Sequence, residues 1–373
     1  MKVEFSYLRD KFNGCMDPGH PIYEGMKELM TTGDFTLGAP VREFEQKFAD
    51  LIGAKYAIGV ANGTDALRIG LRMVGVKPGD EVITAANTFV ASAGCADELF
   101  AIPKFVDNGP NFVMDTSRLE RAITPRTKAI VPVHFTGEPV EMDEVMHIAR
   151  KHGIPVVEDS CQALLAQYKG ACVGTIGDVG TFSLHPLKVL NVFGDGGMIT
   201  TNDEALYNKI SRYRNHGMIN RDLIEYLGCN SRLDSLQAIV GNHLIKETRE
   251  TLKARLANAR YYDEHLREID GVNVPERRAH VQSCFHLYMV EVDAYARPML
   301  VDYLNSVGIE AKVHYPIPLQ GALRLMGHMR EDFPRAFEQS DRIVTLPVHE
   351  HLNKEQLDFV IQSVATFMQK RMW

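Results

Sequence analysis

Asp159 and Lys188 are the residues whose types and surroundings most directly define a chemistry. Asp159 ends the apolar run Ile154-Pro-Val-Val-Glu-Asp159. Lys188 closes Thr181-Phe-Ser-Leu-His-Pro-Leu-Lys188, just ahead of Gly194-Asp-Gly-Gly197. An apolar run ending in an acid reads as a buried strand that delivers a fixed carboxylate. A lysine held on a loop behind Ser183 and Pro186, and before a glycine-rich turn, reads as desolvated, and desolvation lowers its pKa and makes it a nucleophile. Pyridoxal 5'-phosphate needs this pair: a lysine for its Schiff base and an acid that keeps its ring nitrogen protonated. Such a ring is an electron sink, so the pair implies a reaction class as well as a ligand.

A third element precedes them. Asn62-Gly-Thr-Asp65 sits where an apolar run passes into helical spacing. Free backbone N–H groups and the positive end of the helix dipole form an anion site there. Gly63 lets the backbone approach closely and Thr64 adds a hydroxyl, so a phosphate fits. Each part alone has an ordinary explanation: a capped helix, a strand-end carboxylate capping the next helix, a solvated lysine. Their joint order is far more specific than any one of them.

The elements that position these residues alternate from about residue 55 to 205. Tyr56-Ala-Ile-Gly-Val-Ala61, Glu81-Val-Ile-Thr84, Lys104-Phe-Val-Asp107, Ala129-Ile-Val-Pro-Val-His134 and Pro155-Val-Val-Glu-Asp159 read as short strands. Helical spacing recurs over 66–74, 117–123 and 142–152. Short buried strands interleaved with helices predict βαβ units and an α/β fold with a mostly parallel central sheet flanked by helices. Beyond residue 244 the pattern changes: a charged helical stretch over 245–269, a strand over 284–292, a helix over 297–307. The expected division is an N-terminal arm and large domain over 1–244 and a smaller α+β domain over 245–373.

At 373 residues and 45 % hydrophobic, the chain has material for two cores. Its formal net charge is −7 and its 41 basic residues are scattered, which argues against nucleic acid or an acidic membrane surface as a partner. No apolar stretch approaches the roughly 20 residues that cross a bilayer. The opening Met1-Lys-Val-Glu-Phe-Ser-Tyr7 lacks the apolar core of a signal peptide. Six cysteines without a C-x-x-C pair read as reduced thiols of a cytoplasmic protein. The histidines show no metal-ligand spacing, so no metal is expected.

With these motifs in hand, the chain resembles the DegT/DnrJ/EryC1/StrS sugar aminotransferases, within the fold-type I pyridoxal phosphate enzymes. The resemblance runs through Gly33-Asp-Phe-Thr-Leu-Gly38, Val41-Arg-Glu-Phe-Glu45, Val60-Ala-Asn-Gly-Thr-Asp-Ala-Leu67 and Gly79-Asp-Glu-Val-Ile-Thr-Ala-Ala-Asn-Thr-Phe-Val90. It continues through Ala122-Ile-Thr-Pro-Arg-Thr-Lys-Ala-Ile130, Glu158-Asp-Ser-Cys-Gln-Ala163, Gly194-Asp-Gly-Gly197, Asn230-Ser-Arg-Leu-Asp234 and His314-Tyr-Pro-Ile-Pro-Leu319. The resemblance implies that Lys188 carries the cofactor and moves protons, that Asp159 pairs with its ring nitrogen, and that Gln162 bonds its phenolic oxygen. It implies Phe89 against the ring face, and Gly63, Thr64 and Ser183 around the phosphate. Asn230 would reach that phosphate from a neighbouring subunit, making a homodimer with shared active sites. His185, His314, Tyr315 and Gln320 fall on the substrate side.

The implied reaction moves an amino group from glutamate or glutamine to a keto-sugar, a nucleotide-linked 3- or 4-keto-6-deoxyhexose, with a leaning to the 3-keto group. A keto-inositol acceptor and a non-catalytic regulator are the alternatives. Sugar dehydratases of the family carry histidine in place of the lysine, so Lys188 argues against dehydration. The chain departs from the family's common pattern at Leu187, at Val189-Leu-Asn191, at Leu164-Leu165, at Glu138 and at Gln320. These changes leave the cofactor residues intact and are expected to bear on the sugar.

Overall fold

The computed structural model describes residues 1–370. Its central sheet has three parallel strands in the spatial order Ile102–Val106, Glu81–Ala85, Thr127–Ile130. Parallel bridges from Ile130 to Val156 and from Val133 to Asp159 continue it onto the strand Val157–Asp159. The sheet then runs through Val179–Ser183, Gly197–Thr201 and Tyr56–Val60. Val179–Ser183 is parallel to Val157–Asp159, and Gly197–Thr201 is antiparallel to both of its neighbours. The sheet is therefore mostly parallel, as the pattern of apolar runs predicts. Glu81–Ala85 and Gly197–Thr201 are buried along their whole length, and burial on both faces removes the alternation of a half-exposed strand.

Helices cover the sheet. Gly63–Met73 buries Ala66, Leu67, Ile69, Gly70, Leu71 and Met73 and packs on Val179–Ser183 and Gly197–Thr201. Met142–His152 buries Met142, Val145 and Ala149 and ends at Gly153 with φ 65°, the left-handed conformation glycine adopts most readily.

A second apolar core gathers around Tyr262, Tyr288, Leu300, Leu304, Val360 and Phe367, and Val3 joins it from the other end of the chain. Its framework is the helices Thr248–Leu266, Ala296–Ser306 and Lys354–Gln369 beside the antiparallel strands Tyr288–Glu291 and Ile343–Leu346. A small cluster of Phe105, Leu319, Leu323 and Phe333 with three alanines ties the segment after Pro318 to the parallel sheet. No helix among the described residues is long and apolar enough to cross a membrane.

Several elements differ from the sequence expectation. The strand expected over 284–292 is confined to Tyr288–Glu291, because Phe285 adopts φ 46° and breaks the extended run. The helical stretch over 245–269 opens as a 3-10 turn, Ile245–Glu247, before the helix Thr248–Leu266. The expected helix over 117–123 is a 3-10 turn, Thr116–Arg118, followed by Leu119–Ala122. Val179–Ser183 and Gly197–Thr201 carry glycine, serine and threonine, and their burial removes the alternation that would have marked them as strands.

Candidate active site

Asp159 is delivered by strand pairing on both sides. His134 donates its backbone N–H to the Asp159 carbonyl at 3.1 Å, the Asp159 N–H reaches the Pro132 carbonyl at 3.0 Å, and Thr181 is its register partner on the other side. Its carboxylate is 5 % exposed. Oδ2 accepts from Ser92 Oγ at 2.7 Å and Oδ1 from the Cys161 N–H at 3.2 Å. Among the described residues no cation forms an ion pair with it. A buried carboxylate held by two neutral donors still calls for a positively charged one, and a protonated ring nitrogen satisfies that demand.

Glu158, one residue earlier, points to the opposite face and is fully buried. It accepts the N–H groups of Gly174 and Ile176 at 2.7 Å and of Gly177 at 2.6 Å, and lies 3.0 Å from His134 Nε2. This knot fixes the strand end that carries Asp159. His134 is a satisfied core histidine, its Nδ1 accepting the Val140 N–H at 3.1 Å.

Lys188 sits half-buried on the loop between Ser183 and Gly197. Its N–H bonds the His185 carbonyl at 2.8 Å, and its carbonyl accepts the Tyr7 hydroxyl at 3.1 Å. Crowding by the surrounding protein lowers the Lys188 pKa below its ordinary value, while the Asp159 carboxylate works in the opposite direction. Burial holds the neighbouring Cys161 well above the usual thiol range, with Asp159 adding to the rise.

The expected anion turn packs against the segments that carry both groups. Gly63 begins its helix, and Asn62 caps it by accepting the Asp65 N–H at 2.8 Å. A Cβ on Gly63 would lie 2.8 Å from Ser183 Cβ and 3.0 Å from Cys161 Sγ. Only glycine fits, and the missing side chain brings the helix N-terminus against the end of the Val179–Ser183 strand. Thr64 is half-buried beside it. Ser183 Oγ accepts the His185 N–H at 3.3 Å. Gly63, Thr64, Asp159, Ser183 and Lys188 therefore converge, with free N–H groups, a hydroxyl, an acid and an amine in one place.

Residues 19–365 match the DegT/DnrJ/EryC1/StrS aminotransferase family. The chain belongs to that family. It is 38 % identical to a pleiotropic regulatory protein of Geobacillus stearothermophilus over 93 % of this chain and 94 % of the relative. It is 36 % identical to a UDP-N-acetyl-3-dehydro-alpha-D-glucosamine 3-aminotransferase of Acidithiobacillus ferrooxidans, over 96 % of this chain and 94 % of that one. Among solved structures, S. venezuelae DesV in complex with a ketimine intermediate superposes with a TM-score of 0.94 at 32 % identity, covering 99 % of both chains. NtdA of Bacillus subtilis, with bound cofactor PMP, superposes at 0.90 with 29 % identity, over 99 % of this chain and 85 % of that one.

The other residues expected in the site have varied surroundings. Gln162 is buried, and its Oε1 accepts the Thr136 N–H at 2.8 Å. Burial pushes the Tyr315 hydroxyl up to about 12, while Gln162 beside it works the other way. Phe89 is 46 % exposed, with its ring 6.2 Å from that of Tyr315. Gln320 Oε1 accepts the Val90 N–H at 3.0 Å, which ties it to the residue after Phe89. His314 Nδ1 lies 3.0 Å from Thr345 Oγ1 and its ring stacks on Phe5, and burial lowers its pKa to about 4. His185 is exposed, its pKa lowered by partial burial and by Lys188. Asn230 is exposed; its neighbour Ser231 donates to Asp65 Oδ2 at 2.6 Å.

Three of the departures from the family pattern belong to the scaffold. Glu138 is buried against Arg278 at 2.7 Å, Leu164 and Leu165 lie in the core, and the Asn191 amide donates to the Pro186 carbonyl. Leu187 and Gln320 are the departures that touch site residues. The sequence does not single out Ser92, Cys161, Tyr7 or His286, whose pKa burial and then the nearby Lys188 hold well below the usual histidine value. Cys161 lies inside the Glu158–Ala163 motif without a chemical role to mark it, and the other three lie far from Lys188 in sequence, so only packing reveals them.

Proposed function

We propose that this family member transfers an amino group from glutamate or glutamine to a nucleotide-linked keto-sugar in amino-sugar biosynthesis, using pyridoxal 5'-phosphate. The reading rests on one observation: the buried Asp159 carboxylate, without a cation of its own, lies within electrostatic reach of the Lys188 amine beside the Gly63 anion loop. Gly63, Thr64 and Ser183 would hold the phosphate. Asp159 would face the ring nitrogen, Gln162 the phenolic oxygen and Phe89 the ring.

Bound there, the cofactor supplies an electron sink that lets a proton leave the carbon bearing the amine. The chain's own contribution is to hold and move that proton. The lowered pKa of Lys188 leaves more of its Nζ free to accept a proton near neutrality and return it to the adjacent position. Asp159, shielded from water and held by Ser92 and the Cys161 N–H, stays oriented throughout. His185, His314, Tyr315 and Gln320 would bound the sugar. Asn230 stands exposed after a hairpin whose Ile219, Leu223 and Ile224 are also exposed, which supports a homodimer in which it reaches the partner's phosphate. The names of relatives acting at sugar C3 favour a 3-keto acceptor.

The test is the visible absorption of the purified protein before and after L-glutamate. A band that bleaches with glutamate or glutamine, and that Lys188→Ala lacks from the start, is the expected result. No band after addition of pyridoxal phosphate would overturn the reading. The bleached enzyme offered a 3-keto nucleotide sugar, a 4-keto nucleotide sugar and a keto-inositol in turn then identifies the acceptor by return of the band.

A further inference from the structure

The N-terminal arm reaches the loop that carries Lys188. Val3 is rooted in the second core, and the Phe5 N–H bonds Glu310 Oε2 at 2.8 Å. Tyr7 is 3 % exposed, and its hydroxyl donates to the Lys188 carbonyl at 3.1 Å. Lys11 Nζ stands 3.5 Å from the Val189 carbonyl, the next one along. Two consecutive carbonyls of the lysine loop thus receive donors from one short segment.

That segment is itself clamped. The Tyr7 ring stacks on His349 at 5.0 Å between centroids, and the Arg255 guanidinium lies 5.3 Å from its centre. Arg255 Nε bonds Glu350 Oε2 at 2.9 Å, and Glu350 Oε1 is 3.5 Å from Lys11 Nζ. His349 Nε2 donates to the Glu4 carbonyl at 3.0 Å. Leu187, Tyr7, Arg255, His286 and His349 border one small cavity of about 20 Å³, so there is little room for the loop to shift. Burial raises the Tyr7 phenol to about 12, so it stays protonated and remains a donor across the working pH range.

We propose that Tyr7, seconded by Lys11, is a positioning residue that sets where Lys188 Nζ sits relative to Asp159. The inference rests on the reading of Lys188 as the cofactor lysine. The reason is geometric: a hydrogen bond to the Lys188 carbonyl fixes the Cα from which the amine extends. A displaced loop alters both the distance to Asp159 and the burial of the amine. The groups facing Lys188 are Asp159, Cys161, Cys284, His185, His286 and His314. None of them lies on the arm. Phe5 of the arm does stack on His314, but Tyr7 and Lys11 reach the loop through its backbone carbonyls, so a variant at Tyr7 changes the lysine without removing a charge that faces it.

The test uses the full chain freed of cofactor and follows capture of pyridoxal phosphate by absorbance across pH. In capture the neutral Nζ bonds the cofactor's aldehyde carbon and one water leaves. Tyr7→Phe keeps the ring and removes the hydroxyl, which donates to the Lys188 carbonyl and also meets the Arg255 guanidinium. Capture near neutrality should slow roughly 10-fold, since small displacements of a reacting group are costly. Its pH midpoint should rise toward that of an ordinary lysine. In the loaded enzyme kcat with glutamate should fall, with KM held within about twofold. Capture rate and pH midpoint both unchanged would overturn the proposal even if the variant melts earlier, because Tyr7 would then be only a brace. If Tyr7→Phe does not fold, Lys11→Gln is judged by the same two readouts. Lys188→Ala separates the two readings: a variant that still forms the visible band fails the assignment of Lys188, whereas a normal Tyr7→Phe beside a bandless Lys188→Ala fails only the positioning role.

Discussion

Replacing Glu158 with glutamine changes one oxygen for an NH2 group, and the structure makes that a severe change. The carboxylate receives four donors: Ile176 and Gly177 on Oε1, Gly174 and His134 on Oε2. His134 accepts the Val140 N–H at Nδ1, so the hydrogen-bond network assigns the neutral ring its proton at Nε2, where it donates. A glutamine has one accepting oxygen. In either amide orientation its NH2 group faces two donors that lose their acceptor. Each buried, unsatisfied donor costs about 1–3 kcal/mol. With some local relaxation, Glu158→Gln is expected to destabilise the protein by about 3–5 kcal/mol, a large fraction of the 5–15 kcal/mol typical of a folded domain. Urea denaturation, with midpoint and slope compared with the parent chain, measures it. Cofactor capture should weaken as well, because the same strand end carries Asp159. A loss below about 1 kcal/mol would refute the reasoning, since it would mean that the four donors find other partners at little cost.

Gly63→Ala places a methyl group 2.8 Å from Ser183 Cβ. Overpacking of about 1–3 kcal/mol should separate the anion loop from Ser183 and weaken pyridoxal phosphate binding roughly 10- to 100-fold in an absorbance titration. Unchanged affinity would remove Gly63 from the phosphate site. Burial lowers the His349 pKa to about 4, below the roughly 6.5 of the unfolded chain. The unfolded state therefore binds more protons between those values. The stabilisation from His349 is complete above the unfolded pKa and is lost as pH falls toward the folded one, at about 1.4 kcal/mol per unit. Urea midpoints should drop between about pH 7 and 5, and His349→Gln should flatten that drop. An equally steep profile in the variant would assign the acid sensitivity to other groups.

The local signals that proved legible share a property: each is written in contiguous residues. The apolar run to Asp159, the Asn62-Gly-Thr-Asp65 helix start and the constrained loop around Lys188 each state a conformation that neighbouring residues enforce. The mostly parallel sheet was likewise readable from buried strands alternating with helical spacing. The strands Val179–Ser183 and Gly197–Thr201 were not, because small and polar residues buried on both faces leave no period to read. Glu138 and Leu164-Leu165 looked like pocket residues by position, yet packing makes them an ion-pair partner of Arg278 and part of the core.

By itself the sequence determined which chemistry the chain carries: an acid at a strand end, a lysine on a loop and an anion-binding turn, in an order that belongs to one family. Only the tertiary structure decided how these are poised. Burial depends on neighbours far along the chain, so the crowding that lowers the Lys188 pKa, the Ser92 hydroxyl on Asp159, and the Tyr7 hydroxyl on the lysine loop have no local signature. Those long-range contacts convert three motifs into one site, because a pKa and a reach are properties of the packed environment rather than of the residue that bears them.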